Sequence, residues 1–335
     1  MDPEELTAVG RVAHGGSPDH SLDFSANTNP EVPSGTERVY REAFGAARDY
    51  PAEPPTAFRE AAAEYVGTTP EQVVPTPGGL AAIRLTVEAL VDRGDSVLVP
   101  APSFGEYERE VRLQGATPAR VDEAEILDAD PAGHALAVLC TPNNPTGRGY
   151  DRTALLAFVE RARAAKTPVL VDEAFLGFTD RESLAGERGV VVARSLTKLF
   201  GLPGLRTGFA VATGDLRTRL LTGRRTWNLA TPALRVGTHV MGQTAFVEAT
   251  RERVATERER MRTALTDRFE VAPSVAPFLL LAVEDEPVAA VRRRTEDAGI
   301  AIRDARTFHG LDSHVRVAIR RPAENDRLLG ALLDA

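Results

Sequence analysis

The stretch RTALLAFVERARAAKTPVLVDEAF, residues 152–175, joins a helical pattern to a strand pattern and so indicates the fold class. Its first half places apolar residues at helical spacing and predicts an amphipathic helix. The segment TPVLVD then predicts a short buried strand that ends in the carboxylate of Asp172. A helix that leads directly into an apolar strand is the unit from which helix-covered parallel sheets are built.

The same alternation continues on both sides of this stretch. Helical patterns cover residues 57–67 and 79–94, and strand patterns cover residues 96–100, 134–140, 189–195 and 206–212. We therefore predict an α/β fold whose large domain holds a mainly parallel sheet covered by helices. Ligands of such sheets bind at the carboxyl ends of the strands.

The last third of the chain has a different pattern. A long charged helix is predicted over residues 246–269, and strand-like segments at 277–283 and 315–320 flank a helical segment at 286–299. This arrangement predicts a smaller α+β domain.

The change of pattern sets the predicted domain boundaries. Residues 1–40 are expected to form an N-terminal arm that packs with the small domain and the active site. Residues 41–225 form the large domain, and residues 226–335 contain a linking helix and the small C-terminal domain.

Composition excludes several classes of partner. The chain has 335 residues and a net charge of −8 at pH 7, which argues against binding to nucleic acid or an anionic membrane. Cys140 is the single cysteine, so no internal disulfide can form, and we predict a reducing, cytoplasmic location. No apolar run approaches the roughly 20 residues of a membrane span. We predict no metal site.

Only two of the 40 basic residues are lysines, Lys166 and Lys198. Arginine stays protonated at accessible pH, so these two are the candidates for a nucleophilic amine. Lys198 follows a predicted strand end, beside the strand end that carries Asp172, whereas Lys166 ends a helix, where a cation stabilises the helix dipole. We therefore predict that Lys198 and Asp172 are the catalytic pair.

A phosphate site is predicted near Lys198. The segment TPGGLAAIRL places Gly78 and Gly79 at a helix N-terminus, where backbone N–H groups bind anions. Hydroxyl and guanidinium donors are expected from Ser195, Thr197 and Arg206.

Three motifs, in this order and spacing, carry a family resemblance. They are TPNNPTG at 141–147, VDEAF at 171–175 and SLTKLFGLPGLRTGF at 195–209. Together they resemble the fold-type I pyridoxal-phosphate enzymes of the aspartate-aminotransferase superfamily. The resemblance implies a seven-stranded sheet in the large, cofactor-binding domain, and pyridoxal 5'-phosphate as the cofactor.

The resemblance also implies roles for individual residues. Lys198 would bond covalently to the cofactor, Asp172 would pair with its pyridine nitrogen, and Asn144 would bind its phenolic oxygen. The Phe104 ring would pack against the pyridine ring. The residues that would contact the cofactor phosphate are Gly79, Leu80, Ser195 and Arg206.

Two further residues imply a partner subunit and a substrate group. Tyr50 matches a tyrosine that reaches the cofactor phosphate of the neighbouring subunit, so a homodimer with shared active sites is implied. Arg316 matches the arginine that receives the substrate carboxylate. The chain departs from the family at Phe175, where many relatives carry a tyrosine, and at Leu80, where relatives often carry a polar side chain.

Within the superfamily, two branches fit this length. The segments HGG at 14–16 and LDFSANTNP at 22–30, with DEAF at 172–175, resemble threonine-phosphate decarboxylase. That branch decarboxylates O-phospho-L-threonine to aminopropanol phosphate for cobalamin biosynthesis. A histidinol-phosphate-type aminotransferase is the alternative, and a non-catalytic cofactor-binding module is a third possibility.

A phosphorylated amino-acid substrate needs donors besides those of the cofactor phosphate. We predict that the segment from His14 to Pro30 folds over the active-site mouth and supplies them. The predicted substrate-binding residues are His14, Gly15, Gly16, Asn27, Asn29, Arg316 and Arg320.

Overall fold

The structure, a computed structural model, describes residues 1–16 and 22–333. Within them, the strands are β1 (Leu22–Asp23), β2 (Val73–Thr76), β3 (Ser96–Ala101), β4 (Thr117–Asp122), β5 (Leu136–Cys140), β6 (Val169–Asp172), β7 (Val190–Ser195), β8 (Gly208–Ala212), β9 (Glu270–Val271), β10 (Phe278–Ala282), β11 (Ile300–Ala301), β12 (Arg303–Asp304) and β13 (His314–Ala318). The helices are α1 (Glu5–Ala8), α2 (Thr36–Ala46), α3 (Thr56–Val66), α4 (Gly79–Leu90), α5 (Glu106–Arg112), α6 (Arg152–Ala164), α7 (Gly214–Gly223), α8 (Thr231–Met241), α9 (Thr244–Leu265), α10 (Val288–Asp297) and α11 (Pro322–Leu333).

A seven-stranded sheet lies at the centre, in the order β2-β8-β7-β6-β5-β3-β4. β8 runs antiparallel to both of its neighbours, and the other six strands are parallel. This confirms the predicted α/β fold with a mainly parallel sheet of seven strands. The apolar pattern had not indicated β2 and β4, which lie at the two edges and each contain a proline, Pro75 and Pro118.

Helices cover both faces of this sheet. Val138, Leu170 and Val191 are neighbours across β5, β6 and β7 on the face covered by α4 and α5. The residues that follow them, Leu139, Val171 and Val192, pack on the opposite face, where α3 and α6 contribute to the core. Because both faces of these strands are buried, their sequence is apolar throughout, as the VLV of β6 illustrates.

A second sheet forms from the C-terminal part of the chain. Its order is β12-β13-β10-β9, and every pair is antiparallel. β1 pairs in parallel with β11, so the N-terminal part of the chain is hydrogen-bonded to the C-terminal part. The domain boundaries at residues 40 and 225 stay a prediction. Across the described residues, no helix has the length and apolar character that crossing a bilayer requires.

An ion pair joins the carboxyl ends of β6 and β7. Arg194 Nη1 lies 3.0 Å from Glu173 Oε2, and the two side chains are 7% and 0% exposed. The carboxylate also accepts hydrogen bonds from the Ser183 hydroxyl and the Leu184 N–H, at 2.6 and 2.8 Å. Since Glu173 follows Asp172 directly and Arg194 precedes Ser195, this pair fixes the backbone on which two predicted site residues stand.

We expect the Glu173→Gln variant to lose about 3–5 kcal/mol of unfolding free energy, because it leaves the Arg194 charge buried without its partner. Urea denaturation followed by circular dichroism measures this loss. The matched control is Glu160→Gln, which removes the exposed partner of Arg163 within α6 and should cost less than about 1 kcal/mol. Equal losses in the two variants would contradict the role assigned to the buried pair.

Candidate active site

A cavity of about 270 Å³ lies at the carboxyl ends of β5, β6 and β7. Strand register brings these ends together, since Cys140 pairs with Asp172 and Asp172 pairs with Ala193. The predicted site residues that line the cavity are His14, Gly15, Asn27, Gly79, Leu80, Phe104, Asn144, Asp172, Ser195, Thr197, Lys198, Arg206 and Arg316.

Lys198 presents its amine to this cavity. Its Nζ donates to the carbonyl oxygen of Ala26 at 2.8 Å. Burial, together with the positive charges of Arg316 and Arg206, lowers the pKa of Lys198 to about 8. A larger neutral fraction near pH 7 follows, and the neutral amine is the form that attacks a carbonyl. Lys166, by contrast, is exposed and lies just beyond the end of α6.

Asp172 ends β6 and is only 5% exposed. Its Oδ1 accepts from the N–H of Ala174 at 2.9 Å, and its Oδ2 accepts from the hydroxyl of Tyr107 at 2.6 Å. Burial raises the pKa of Asp172 above its usual range, and these two hydrogen bonds oppose the rise. A buried carboxylate that borders a cavity suits a cationic nitrogen in the ligand.

The predicted phosphate site is built around the N-terminus of α4. Gly78 adopts φ 93° as the residue before the helix, and no side chain caps the first turn. A Cβ at Gly78 would lie 2.9 Å from Arg206 Nη2, so glycine lets the guanidinium approach this loop. The Ser195 and Thr197 hydroxyls lie 2.8 Å apart beside it. Helix N–H groups, two hydroxyls and a guanidinium together fit a phosphate group.

Two buried arginines face the cavity from the second sheet. Arg316 and Arg303 are register partners on β13 and β12 and are 5% and 7% exposed. Burial, with the charge of Arg303, lowers the pKa of Arg316 to about 9.

The hydrogen bonds of this pair go to neutral oxygens in the described part of the chain. Arg316 Nη2 donates to the Ser25 carbonyl oxygen at 2.8 Å, and Nη1 donates to Asn144 Oδ1. Arg303 Nη2 donates to the Ala13 carbonyl oxygen at 2.6 Å and to the Thr307 hydroxyl at 2.8 Å. Two buried cations with neutral partners suit an anionic ligand.

The N-terminal segment of residues 12–15 borders the cavity. His14 Nε2 lies 2.8 Å from Glu106 Oε1, and its ring lies 5.6 Å from that of Phe104. A Cβ at Gly15 would lie 2.2 Å from the Ser25 carbonyl oxygen, so only glycine fits there. The N–H of Gly16 donates to Ser25 Oγ at 2.8 Å. Residues 17–21, in the middle of the predicted mouth segment, lie outside the described residues.

Gly16, Asn29, Arg320 and Tyr50 are predicted site residues that do not line the cavity, and the N–H of Gly16 is already bonded to Ser25. Asn29 uses both ends of its amide within the fold, donating to the Leu199 carbonyl oxygen at 2.8 Å and accepting from Arg253 at 2.7 Å. Arg320 lies beyond the end of β13 and pairs with Glu324 at 3.2 Å. Neither lines the cavity, so the structure does not support the predicted substrate contacts of these two. Tyr50 is 77% exposed outside the cavity, and its reach to a neighbouring subunit stays a prediction.

Sequence reasoning missed Tyr107 and Arg303. The segment PSFGEY contained a signal for Tyr107, which stands one helical turn beyond Phe104. In the structure the two rings pack edge to face, with their centroids 5.6 Å apart. Arg303 gave no signal, because the sequence holds many arginines and β12 is two residues long. Within residues 1–16 and 22–333, no group of three His, Cys, Asp or Glu side chains could hold a metal ion.

Comparison with known proteins identifies the family of the chain. Residues 20–332 match the family model described as aminotransferase class I and II. The chain is 31% identical over 355 residues to threonine-phosphate decarboxylase of Salmonella typhimurium, covering 97% of each protein. It is 29% identical over 319 residues to histidinol-phosphate aminotransferase 1 of Archaeoglobus fulgidus, covering 93% of this chain and 98% of that protein. The crystal structure of L-threonine-O-3-phosphate decarboxylase from Porphyromonas gingivalis is similar with a TM-score of 0.84 at 28% identity, covering 93% of this chain and 98% of that one.

We expect pyridoxal phosphate, added to the protein and fixed by borohydride reduction, to be found on Lys198. Peptide mass mapping identifies the labelled residue, and Lys166→Ala is the control that should label normally. The labelling rate should rise through about pH 8, because the pKa of Lys198 is lowered to that value and the amine reacts only after losing its proton. A label on the peptide that contains Lys166 would overturn the assignment.

Proposed function

Because the chain belongs to the class I and II aminotransferase family, we propose that it is a carboxy-lyase that converts O-phospho-L-threonine to aminopropanol phosphate and CO₂. The cofactor is pyridoxal phosphate. The observation that carries the proposal is the buried pair Arg303 and Arg316, two cations at the cavity whose hydrogen-bond partners are neutral. We propose that the product serves cobalamin biosynthesis. A cytoplasmic location stays a prediction.

The pair of arginines favours a substrate with two anionic groups. O-phospho-L-threonine carries a carboxylate and a phosphate, and the cofactor phosphate is assigned separately to the Arg206 site. We assign the carboxylate to Arg316, following the family resemblance, and the substrate phosphate to Arg303 with His14 and the N–H of Gly15. Charge-assisted hydrogen bonds of this kind hold a substrate through groups remote from the reacting carbon.

The chain's own residues then have distinct tasks. When bound, pyridoxal phosphate supplies an electron sink that allows a bond at the substrate Cα to break. Asp172 keeps the ring nitrogen protonated, and Asn144 and Phe104 orient the ring. In the proposed reaction the bond from Cα to the carboxylate breaks, CO₂ leaves, and Cα gains one proton. Lys198 is the amine in the cavity that can deliver this proton.

A histidinol-phosphate-type aminotransferase is the second candidate. Histidinol phosphate carries a phosphate and no carboxylate, so it would engage only one arginine of the pair. A dicarboxylic oxo acid, the usual amino acceptor, would engage both. The similarity to curated aminotransferases at about 29% identity also supports this candidate. A module that binds the cofactor without catalysis would turn over neither substrate.

We expect the holoprotein to release CO₂ from O-phospho-L-threonine without an added oxo acid, because decarboxylation needs no amino acceptor. Trapping of labelled CO₂ from the carboxyl-labelled substrate measures the reaction. Turnover of histidinol phosphate with 2-oxoglutarate, without CO₂ release from phosphothreonine, would favour the aminotransferase. No turnover in either assay would favour the non-catalytic module.

The same assay tests the substrate phosphate site. His14→Ala should lower kcat/KM for phosphothreonine by at least about tenfold, a loss of roughly 1.4 kcal/mol of transition-state stabilisation. The control is His134→Ala, at the opposite end of the sheet, where the imidazole contacts Ser96 at the start of β3. Unchanged kinetics in the His14 variant would remove this residue from the site.

Exposed aromatic side chains support the proposed homodimer. Tyr40 and Phe44, one helical turn apart on α2, are 51% and 80% exposed. Tyr50 is 77% exposed and stacks on Trp227 with ring centroids 4.3 Å apart. Large apolar side chains this exposed are typical of a surface that a partner subunit covers. We propose that a second copy covers them and that Tyr50 reaches the partner's cofactor phosphate.

We expect Phe44→Glu to shift the protein from dimer to monomer, because a charge would be buried without a partner in the interface. Sedimentation velocity measures the change, and the fluorescence of Trp227, the single tryptophan, reports it independently. Thr218→Glu, at an exposed polar residue of α7, is the control and should stay dimeric. An unchanged sedimentation coefficient in Phe44→Glu would contradict this interface.

A further inference from the structure

Tyr107 holds the carboxylate of Asp172 from the side of α5. The Tyr107 side chain is 0% exposed, and its hydroxyl donates to Asp172 Oδ2 at 2.6 Å. The other carboxylate oxygen accepts from the backbone N–H of Ala174 at 2.9 Å. Among the described residues, these are the hydrogen bonds that the carboxylate makes, and neither donor is charged. Tyr107 is therefore the side chain that hydrogen-bonds the Asp172 carboxylate, whereas the neighbouring charges of Glu173 and Arg194 act on its pKa in opposite directions.

The direction of this hydrogen bond is fixed by electrostatics. Burial, followed by the charge of Asp172, raises the pKa of Tyr107 well above its usual range, so the phenol keeps its proton. Cys140 lies beside the phenol, and burial likewise raises the pKa of its thiol. The thiol therefore stays neutral at the pH at which the enzyme works and adds no competing negative charge. Tyr107 remains a donor, and Asp172 remains the acceptor.

We propose that Tyr107 is a positioning residue that keeps Asp172 ionised and in place for the ring nitrogen of the cofactor. A hydrogen bond donated to the charged form of an acid favours that form, and here it opposes the cost of burying the carboxylate. The ionised form is needed, because a neutral acid would not hold a proton on the ring nitrogen. The inference rests on the cofactor assignment and is independent of the choice between decarboxylation and transamination.

Tyr150 offers a matched comparison within the same fold. It is also a buried tyrosine, 7% exposed, and its hydroxyl lies 3.2 Å from the carboxylate oxygen Oε2 of Glu123 and 2.7 Å from the carbonyl oxygen of that residue. It does not line the cavity. Tyr150→Phe therefore removes a buried hydroxyl bonded to an acid without altering the acid that faces the cofactor.

The test measures cofactor affinity, not turnover. Apoprotein of the wild type and of Tyr107→Phe is titrated with pyridoxal phosphate between about pH 5.5 and 8.5, and binding is followed by visible absorbance. Without the phenol, the pKa of Asp172 should rise, so the carboxylate becomes neutral at a higher pH. We expect Kd to increase by about tenfold at the acidic end, and the ratio of variant to wild type to fall as pH rises.

Two controls separate positioning from a structural role. Tyr150→Phe should give a Kd ratio near one across the range. Tyr107→Phe in an Asp172→Asn background should add no pH-dependent change, since the titrating acid is gone. A Tyr107→Phe ratio that is constant with pH, or equal to one, would overturn the proposal.

A second measurement keeps the Tyr107 side chain and does not depend on the folding of the Tyr107→Phe variant. Isotope-edited infrared spectroscopy of the wild-type apoprotein with labelled aspartate resolves carboxylate from protonated carboxyl, and the Asp172 band is identified as the one lost in Asp172→Asn. We expect the ionised band at pH 7. A protonated Asp172 at pH 7, beside an intact Tyr107, would overturn the proposal.

Discussion

The parallel pairing of β5, β6 and β7 brings the residues of the site to one edge of the sheet. Register sets Cys140, Asp172 and Ala193 side by side, so each residue beyond a strand end emerges at the same edge of the sheet. Lys198, Asn144 and the α4 N-terminus reach one cavity because of this alignment. Apolar side chains on both faces of the three strands stabilise this alignment. The buried pair of Glu173 and Arg194 stabilises it further at the ends of β6 and β7. A shift of one residue would turn the Asp172 side chain to the other face of the sheet.

The sequence pattern predicted the central strands of the large sheet but not its two edge strands. The five central strands carry continuous apolar runs, because they are buried on both faces, and the sequence pattern indicated each of them. β4 is half exposed and interrupted by Pro118, so its pattern is weak. The two-residue pairing of β1 with β11 joins segments almost 280 residues apart, and no local pattern encodes it. Short pairings of this kind depend on tertiary contacts and not on propensity.

The site was predictable where chemistry restricts the residue type. With only two lysines in the chain, Lys198 could be predicted as the nucleophile from its place after a strand, and the structure places it at the cavity. Arginines and asparagines are too common for that reasoning, and side-chain direction beyond a strand end cannot be read from spacing. Asn29 and Arg320 therefore have contacts within the fold that differ from those predicted. Tyr107 has the pattern of an ordinary core residue, and its contact with Asp172 emerges only when α5 packs on the sheet.

The attachment of the N-terminal segment to the C-terminal part of the chain has a consequence for biosynthesis. Leu22 pairs with Ile300, the Ala318 N–H donates to the Phe24 carbonyl oxygen at 2.9 Å, and Arg303 binds the Ala13 carbonyl oxygen. These partners leave the ribosome later than the segment they hold, because they lie almost 280 residues or more further along the chain. The strands of the seven-stranded sheet can pair while translation continues. The side of the cavity that Arg303 and Arg316 line forms only after residue 318 has been made. Nascent chains stalled before that point would contain a folded sheet with an open, substrate-incompetent site.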